Sequence, residues 1–400
     1  MQHPMHQTAT RSARHAVWLS ALVLGAGAQV MSAANITYVV GTCKGGTHFS
    51  TIQDALDASP APDTVEVCPG QYAEQLMITK PVTLEGIDQG NSGMVQIVLP
   101  SGYAINAAIG PFGAPTVAQV FVKDVRGGSV NLTNLAVNGD DQSVPEEGFL
   151  VGILYEESSG TINQVVTSGQ TPTDYQGWGM WIQGGSSKSS VIVENSDMHD
   201  YNQGGLMVIG MTDTPNLTAT IKDNVISNFS SVDTENLVLE VGTDVTVTGN
   251  FVSGGLFGID IEGTEGAVTG NTVFQSSYGI YLGNDGVKVT SNNIYDTSSA
   301  GIDLQHTIHS SVVQNNKIKT VAPNGAGTGI ELNCKNISPT LVNSNTLMDF
   351  YYGYGNAPAG FSGSNTYVRV NLDVSPCTGN GPSKASAPYR QKVPGGSQEQ

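Results

Sequence analysis

The chain has 400 residues with 34 Asp and Glu against 16 Lys and Arg, a formal net charge of −18 at pH 7, and 49 glycines. A surface that acidic excludes attraction to nucleic acid or to anionic lipid headgroups. Charged residues make up only 12% and aromatics 7%, while Thr, Val, Asn and Ser fill the runs between glycines, a strand-forming composition.

Arg11, Arg14 and His15 precede an apolar stretch from Ala16 to Ala28, and Ser32-Ala33-Ala34 offers small residues for cleavage. Residues 1–34 are expected to be an export signal, too short to span a bilayer and with no later apolar stretch to hold the protein there. Removing Arg11 and Arg14 takes the 16 basic residues to 14 against 34 acids, and the net charge from −18 to −20. A secreted product is expected, extracellular or periplasmic.

Residues 35–100 read as a cap and the first coils. In Phe49–Ser59, Ile52, Ala55, Leu56 and Ser59 share one helical face, and Ser50 or Thr51 can cap its first turn. Strands follow at Thr64–Cys68, Gln75–Ile78 and Val82–Leu84. Four cysteines in an exported chain allow three pairings. Cys43 with Cys68 and Cys334 with Cys377 would staple the two ends of the fold. Metal binding by these cysteines lacks CxxC spacing and a histidine cluster.

Residues 101–375 carry the main pattern. GIDI at Gly258–Ile261, GIYL at Gly279–Leu282, GIDL at Gly301–Leu304 and GIEL at Gly329–Leu332 repeat one motif. Each leads to a second run ending in asparagine. Looser copies lie upstream at Val151–Tyr155, Gly179–Ile182, Gly204–Ile209 and Asn236–Val241. Two motifs recurring together mark one stacking unit, and the alternation of apolar residues makes it a strand unit. A strand with no partner of its own must pair with the units above and below. The expected fold is therefore all-β, a right-handed parallel β-helix with a short N-terminal capping helix. Asn195, Asn224, Asn250, Asn271, Asn293, Asn316 and Asn345 should stack at one corner, tolerating left-handed angles and bonding amide to amide. Residues 376–400 form a polar tail, expected to be disordered.

The passage FSTIQDALDASPAPDTVEVCPGQYAEQLMITKPVTLEGI resembles the opening of the pectin-lyase-like superfamily, which includes pectin methylesterases and NosD-like β-helix repeat proteins. With the later repeats, the resemblance covers most of the mature chain. It implies the fold and leaves the chemistry open, because the same opening precedes esterases, lyases, hydrolases, epimerases and non-enzymes. The QDTL- and DFIFG-like strands of pectin methylesterases are missing. Where the DD of polygalacturonase-like hydrolases might sit the chain has GID, it has no GHG, and the only RxK is Arg390-Gln391-Lys392 in the tail. Pectate lyases rely on an arginine base and calcium, and the repeat core holds no arginine.

In Gly-Ile-Asp-Ile the apolar residues point inward, so the third and fifth positions point out. One outward column reads Leu154, Trp181, Met207, Val238, Asp260, Tyr281, Asp303, Glu331. Its neighbour reads Glu156, Gln183, Ile209, Glu240, Glu262, Gly283, Gln305, Asn333. The face divides into an aromatic, apolar N-terminal half and an acidic C-terminal half. Long segments entering the N-terminal half, at Gly139–Gly148, Gly169–Gly179 and His199–Gly205, would make a groove wall. Trp178, Trp181, Tyr175 and Tyr201 suit the apolar faces of sugar rings.

Adjacent rungs place carboxylates such as Glu240 and Glu262, or Asp303 and Glu331, about 5 Å apart, and two rungs separate Asp260 from Asp303 by about 10 Å. Those values bracket the retaining and inverting arrangements of glycosidases. Glu240, Asp260, Glu262, Asp303 and Glu331 are the candidate acids and bases, with Tyr281 among them and His306 beside them. Calcium is the one cofactor such oxygens would hold, here or in the loop with Asp140, Asp141, Glu146 and Glu147. The plainer alternative is that these acids are solvated surface and Trp181 packs under its loop.

Two functional classes follow. One is binding or processing of an extracellular polysaccharide, with hydrolase or lyase chemistry on the outward face, by a monomer. The other is a non-catalytic surface adhesin or structural β-helix.

Overall fold

The computed structural model describes residues 35–377 apart from 91–92, 143, 145–147, 173–175, 212–214, 229–232, 305–309, 321–326, 335–340 and 359–362, and of 372–374 only the backbone. The expected export signal, the tail from 378, and Asp174, Tyr175, Glu146, Glu147, Gln305 and His306 lie outside the described residues.

Each coil contributes three strands. Phe257–Ile261 is followed by Glu265–Thr269 and Thr272–Phe274, and Tyr278–Leu282 opens the next coil. The first type of strand stacks into a 13-stranded sheet, and the other two share a 23-stranded sheet. Pairing between coils is parallel and residue-to-residue, Ile259 on Ile280 and Ile280 on Ile302. The chain is a parallel β-helix, and the alternation of its apolar residues is the cause. Inward valines, isoleucines and leucines from all three strands, such as Val247, Val273, Ile259, Ile280 and Ile302, form one continuous buried column.

One end is closed by the expected helix, Ile52–Asp57. Thr51 caps it by accepting from Asp54 N, and Ile52, Ala55 and Leu56 are buried. The Glu74 carboxylate accepts from Ile52 N and Gln53 N at 2.9 and 3.0 Å, placing negative charge at the helix start. Both expected disulfides are formed, Cys43–Cys68 and Cys334–Cys377, each with Cα atoms 5.6 Å apart.

The asparagine column exists with two shifts. Asn224, Asn250, Asn271, Asn292, Asn316, Asn345 and Asn365 stack, each of the first six donating its backbone and side-chain N–H to the Oδ1 of the asparagine on the next coil. For Asn250 on Asn271 the distances are 3.0 and 2.9 Å. The same pairs recur up to Asn345 on Asn365. Asn292, and not Asn293, belongs to the ladder, and Ser196 heads it in place of Asn195. The left-handed angle falls on the residue before the ladder position: Asp223, Ser291, Asn315 and Ser344 all have φ between 56° and 59°. Thus the ladder asparagines from Asn224 to Asn345 are buried in the corner, and the residue that turns the chain is a separate one.

Candidate functional site

The first outward column forms in the expected register. Leu154, Trp181, Met207, Val238, Asp260, Tyr281, Asp303 and Glu331 pair in succession along the 13-stranded sheet. In the second, Glu156, Gln183 and Ile209 pair directly, and Glu240, Glu262 and Gly283 follow through bonds of their backbone N–H groups to Val208, Leu239 and Ile261.

The N-terminal half is not an open platform. Leu154, Trp178, Trp181, Met207, Ile209 and Val238 are buried in a second apolar cluster with Phe121, Phe149 and Ile109. Ile109 belongs to a short strand, Ala107–Ile109, that turns back antiparallel onto Ala114–Lys123. Beyond it, Gly110 N donates to Gln183 Oε1 at 2.8 Å. The chain's own arm therefore packs on the aromatic face. Trp178 and Trp181 are 1% and 3% exposed, edge to face at 5.2 Å, and present no ring face to a sugar. The Trp178 ring also abuts Gly204 of the next coil, where a Cβ would stand 2.1 Å from it. Tyr201 is further from the expected role. It sits fully buried in the main core, its hydroxyl donating to Asn236 Oδ1. The reason for the correction is physical: a run of large apolar side chains pointing outward is itself a surface that folding covers.

The loop acids are engaged locally. Asp141 Oδ1 accepts from Thr171 Oγ1 at 2.5 Å, and Asp140 Oδ2 from Gln142 Nε2 at 3.3 Å. Among the described residues no group of three or more His, Cys, Asp or Glu is placed to hold a metal ion.

The C-terminal half brings the acids together. Asp260 is 3% exposed, Tyr281 9% and Asp303 1%. Glu240, Glu262 and Glu331 are half-buried around them. Asn333 Nδ2 donates to Asp303 Oδ1 at 2.6 Å, and Asn356 Nδ2 donates to Glu331 Oε1 at 2.8 Å. Glu331 leans over Gly355 of the next coil, where a Cβ would stand 2.1 Å from Oε2. Burial pushes the Tyr281 phenol well above its usual range, and Asp260, Asp303, Tyr278 and Glu235 push it further. It stays protonated, an O–H donor between two carboxylates.

A third outward column was missed. Phe257, Tyr278, Ala300, Thr328 and Tyr352 pair in register beside the acids. Phe257 stacks on Tyr278 at 5.3 Å and meets Tyr281 edge-on at 5.0 Å. Strict alternation from Asp260 would turn Phe257 inward. However, Gly258 faces Val273 inside the coil and Ile259 is buried there too, so two inward residues follow one another. The signal available was the aromatic before Gly-Ile in FGIDI and YGIYL. The Tyr278 phenol is also raised, by burial first and then by Asp303, with Ser299 opposing and Glu331 adding to it.

Residues 208–372 match the family described as the right handed beta helix region. No curated protein matches the chain. Among solved structures, the tailspike of Pseudomonas phage phi297 is similar with a TM-score of 0.50 and 12% identity, over 80% of this chain and 72% of that one. The A-module of a mannuronan C-5 epimerase from Azotobacter vinelandii has a TM-score of 0.48 and 18% identity, over 83% and 93%. A surface adhesin of Streptococcus pneumoniae has a TM-score of 0.45 and 11% identity, over 81% and 88%. At these identities the likeness is one of fold.

Proposed function

We propose that this right-handed β-helix protein is exported and that it binds and cleaves an extracellular polysaccharide on the outward face between Phe257 and Glu331. The observation that carries the reading is the burial of Asp260 and Asp303 on either side of Tyr281. An aspartate placed for solubility is exposed, whereas a buried one costs desolvation and is kept where its chemistry is used. Asp303 and Glu331 occupy adjacent rungs, about 5 Å apart along the sheet, and Asp260 stands two rungs from Asp303, about 10 Å. The closer pair suits a nucleophile and acid, the wider one an acid and a base with water between. Tyr281 supplies a hydroxyl donor to the sugar or the leaving oxygen. Tyr278, half-buried beside it, takes the ring-stacking part first expected of the tryptophans. A neutral or weakly acidic glycan fits best, since a polyuronide would meet a strongly negative chain. Two disulfides support an oxidising compartment.

A glycan array followed by reducing-end and unsaturated-product assays separates binding, hydrolysis and elimination. The parent should turn over a bound glycan, and Asp303→Asn should bind it without turnover. Binding without any turnover by the parent would favour the adhesin reading. An Asp303→Asn variant that works like the parent would move the site elsewhere.

A further inference from the structure

The Cys334–Cys377 bridge is tied to the acids more closely than an end staple requires. Asn333 and Cys334 are consecutive left-handed residues, φ 50° and 57°. That turn carries Asn333 Nδ2 to Asp303 Oδ1 at 2.6 Å and to Leu304 O at 3.2 Å, and its backbone N–H to Glu331 Oε1 at 3.3 Å. On the next coil Asn356, also left-handed at φ 45°, donates to the same Glu331 oxygen. The Asn356 carbonyl in turn accepts Cys334 N–H at 2.7 Å and lies 3.1 Å from Cys377 Sγ. Cys377 N–H bonds Ala357 O at 3.0 Å. The two amides that hold Asp303 and Glu331 are therefore each bonded to, or adjacent to, one half of the same disulfide.

We infer that Asn333 and Asn356 are positioning residues for Asp303 and Glu331, and that the Cys334–Cys377 disulfide sets both of them, so that the carboxylate pair responds to thiol–disulfide exchange. This rests on reading the acid column as the functional site. Left-handed non-glycine turns are held only where their surroundings over-determine them, and here the cross-link is part of that restraint. Both cysteines are partly exposed, within reach of a thiolate, whereas in the other bridge only Cys43 is partly exposed and Cys68 is 4% exposed. A dithiol that gives up two electrons and two protons, becoming a disulfide itself, converts the bridge to two thiols. The turn then loses its tether, and Asp303 and Glu331 lose fixed amide donors. An amide bonded to a carboxylate fixes its orientation and surroundings, so losing the amide changes the signal of the carboxyl carbon.

The test uses the mature chain with 13C-labelled Asp and Glu carboxyl groups, the signals being assigned with Asp303→Asn and Glu331→Gln. In the double variant Cys334→Ser, Cys377→Ser, and after dithiol treatment, the Asp303 and Glu331 carboxyl signals should shift and broaden at constant pH while that of Asp260, two rungs away, stays. Asn333→Ala with the disulfide intact should move Asp303, and Asn356→Ala should move Glu331. These single variants decide the matter if the double variant does not fold. Unmoved carboxyl signals in folded variants overturn the inference. Where a glycan is turned over, reduction should lower kcat about a hundredfold with KM little changed, and reoxidation should restore it. A chain with no glycan activity would remove the proposed function and leave the carboxyl signals to judge this inference alone.

Discussion

The two halves of the outward face are built on the same strand type, in one unbroken register, and end in opposite environments. Toward the N-terminus, Leu154, Trp181, Met207 and Val238 point out of the coil and are buried again by the arm that carries Ile109. Toward the C-terminus, Asp260, Tyr281 and Asp303 occupy the same column and are buried with phenols and amides around them. The scaffold specifies where an outward side chain stands, and its chemistry specifies what gathers over it. Apolar residues recruit chain to shed water, while carboxylates recruit donors. The first half is therefore read as a second core and the second as a site.

The largest effect should separate these readings directly. Trp178→Ala removes a ring wedged over Gly204 and against Trp181, and should cost about 3–5 kcal/mol in urea unfolding. Gly204→Val should act in the same direction, because its first side-chain carbon would meet that ring. Asp303→Asn keeps shape and should change stability by only about 1 kcal/mol. If Trp178→Ala unfolds at the same urea concentration as the parent, the aromatic half is loosely covered and the contrast between the halves fails.

Most of the frame was legible because strand periodicity is short and repeated. The four GI-x-[IL] segments set the register of Asp260, Tyr281, Asp303 and Glu331, and apolar alternation set the inward column. Both disulfides followed from the wish to close two ends. Other features were not periodic and so left no mark. The arm at Ala107–Ile109 belongs to no repeat, and nothing in Trp178 or Trp181 distinguishes a sugar platform from a ring under cover. The ladder slipped by one residue at Asn292-Asn293, where either asparagine fits the pattern and only the left-handed Ser291 decides between them. Phe257 and Tyr278 were hidden by the double inward step at Gly258-Ile259. Asn333 and Asn356 come from neighbouring coils and meet the acids only in three dimensions.

The next effect tests the acid half from its centre. Tyr281→Phe deletes one hydroxyl from a residue 9% exposed, leaving the ring against Phe257. Turnover of a glycan substrate should fall about a hundredfold or more, as for loss of a positioned proton donor. Because the phenol is pushed well above its usual range by burial and then by Asp260 and Asp303, it stays protonated through neutral and mildly alkaline pH. The parent's pH–rate profile should therefore carry no alkaline limb that disappears in Tyr281→Phe. Such a limb between pH of about 7 and 10 would mean the phenol titrates in an open, wet site.

The smallest effect concerns a carboxylate in the wrong half. Glu156 ends the strand Phe149–Glu156, in register with Lys123 on one side and Gln183 on the other. Lys123 itself leans over the Phe121 ring at 5.5 Å. Burial lifts the Glu156 carboxyl above its usual range; Lys123 pulls it down, and Asp124 and Glu157 add to the rise. A group whose folded value is raised holds more protons folded than unfolded between the two values, so stability falls as pH climbs through that window. Below the ordinary glutamate value, about 4.3, both states are protonated and nothing is lost. Above the raised value the loss is complete. Glu156→Gln should then melt with the parent near pH of about 3 and above it at pH 7, by a small margin because the group is half in water. An equal gain at both pH values would make the effect one of packing. A lower melting point only at pH 7 would mean that the charge of Glu156 is stabilising, and that the apolar half keeps an acid for the same reason as the other.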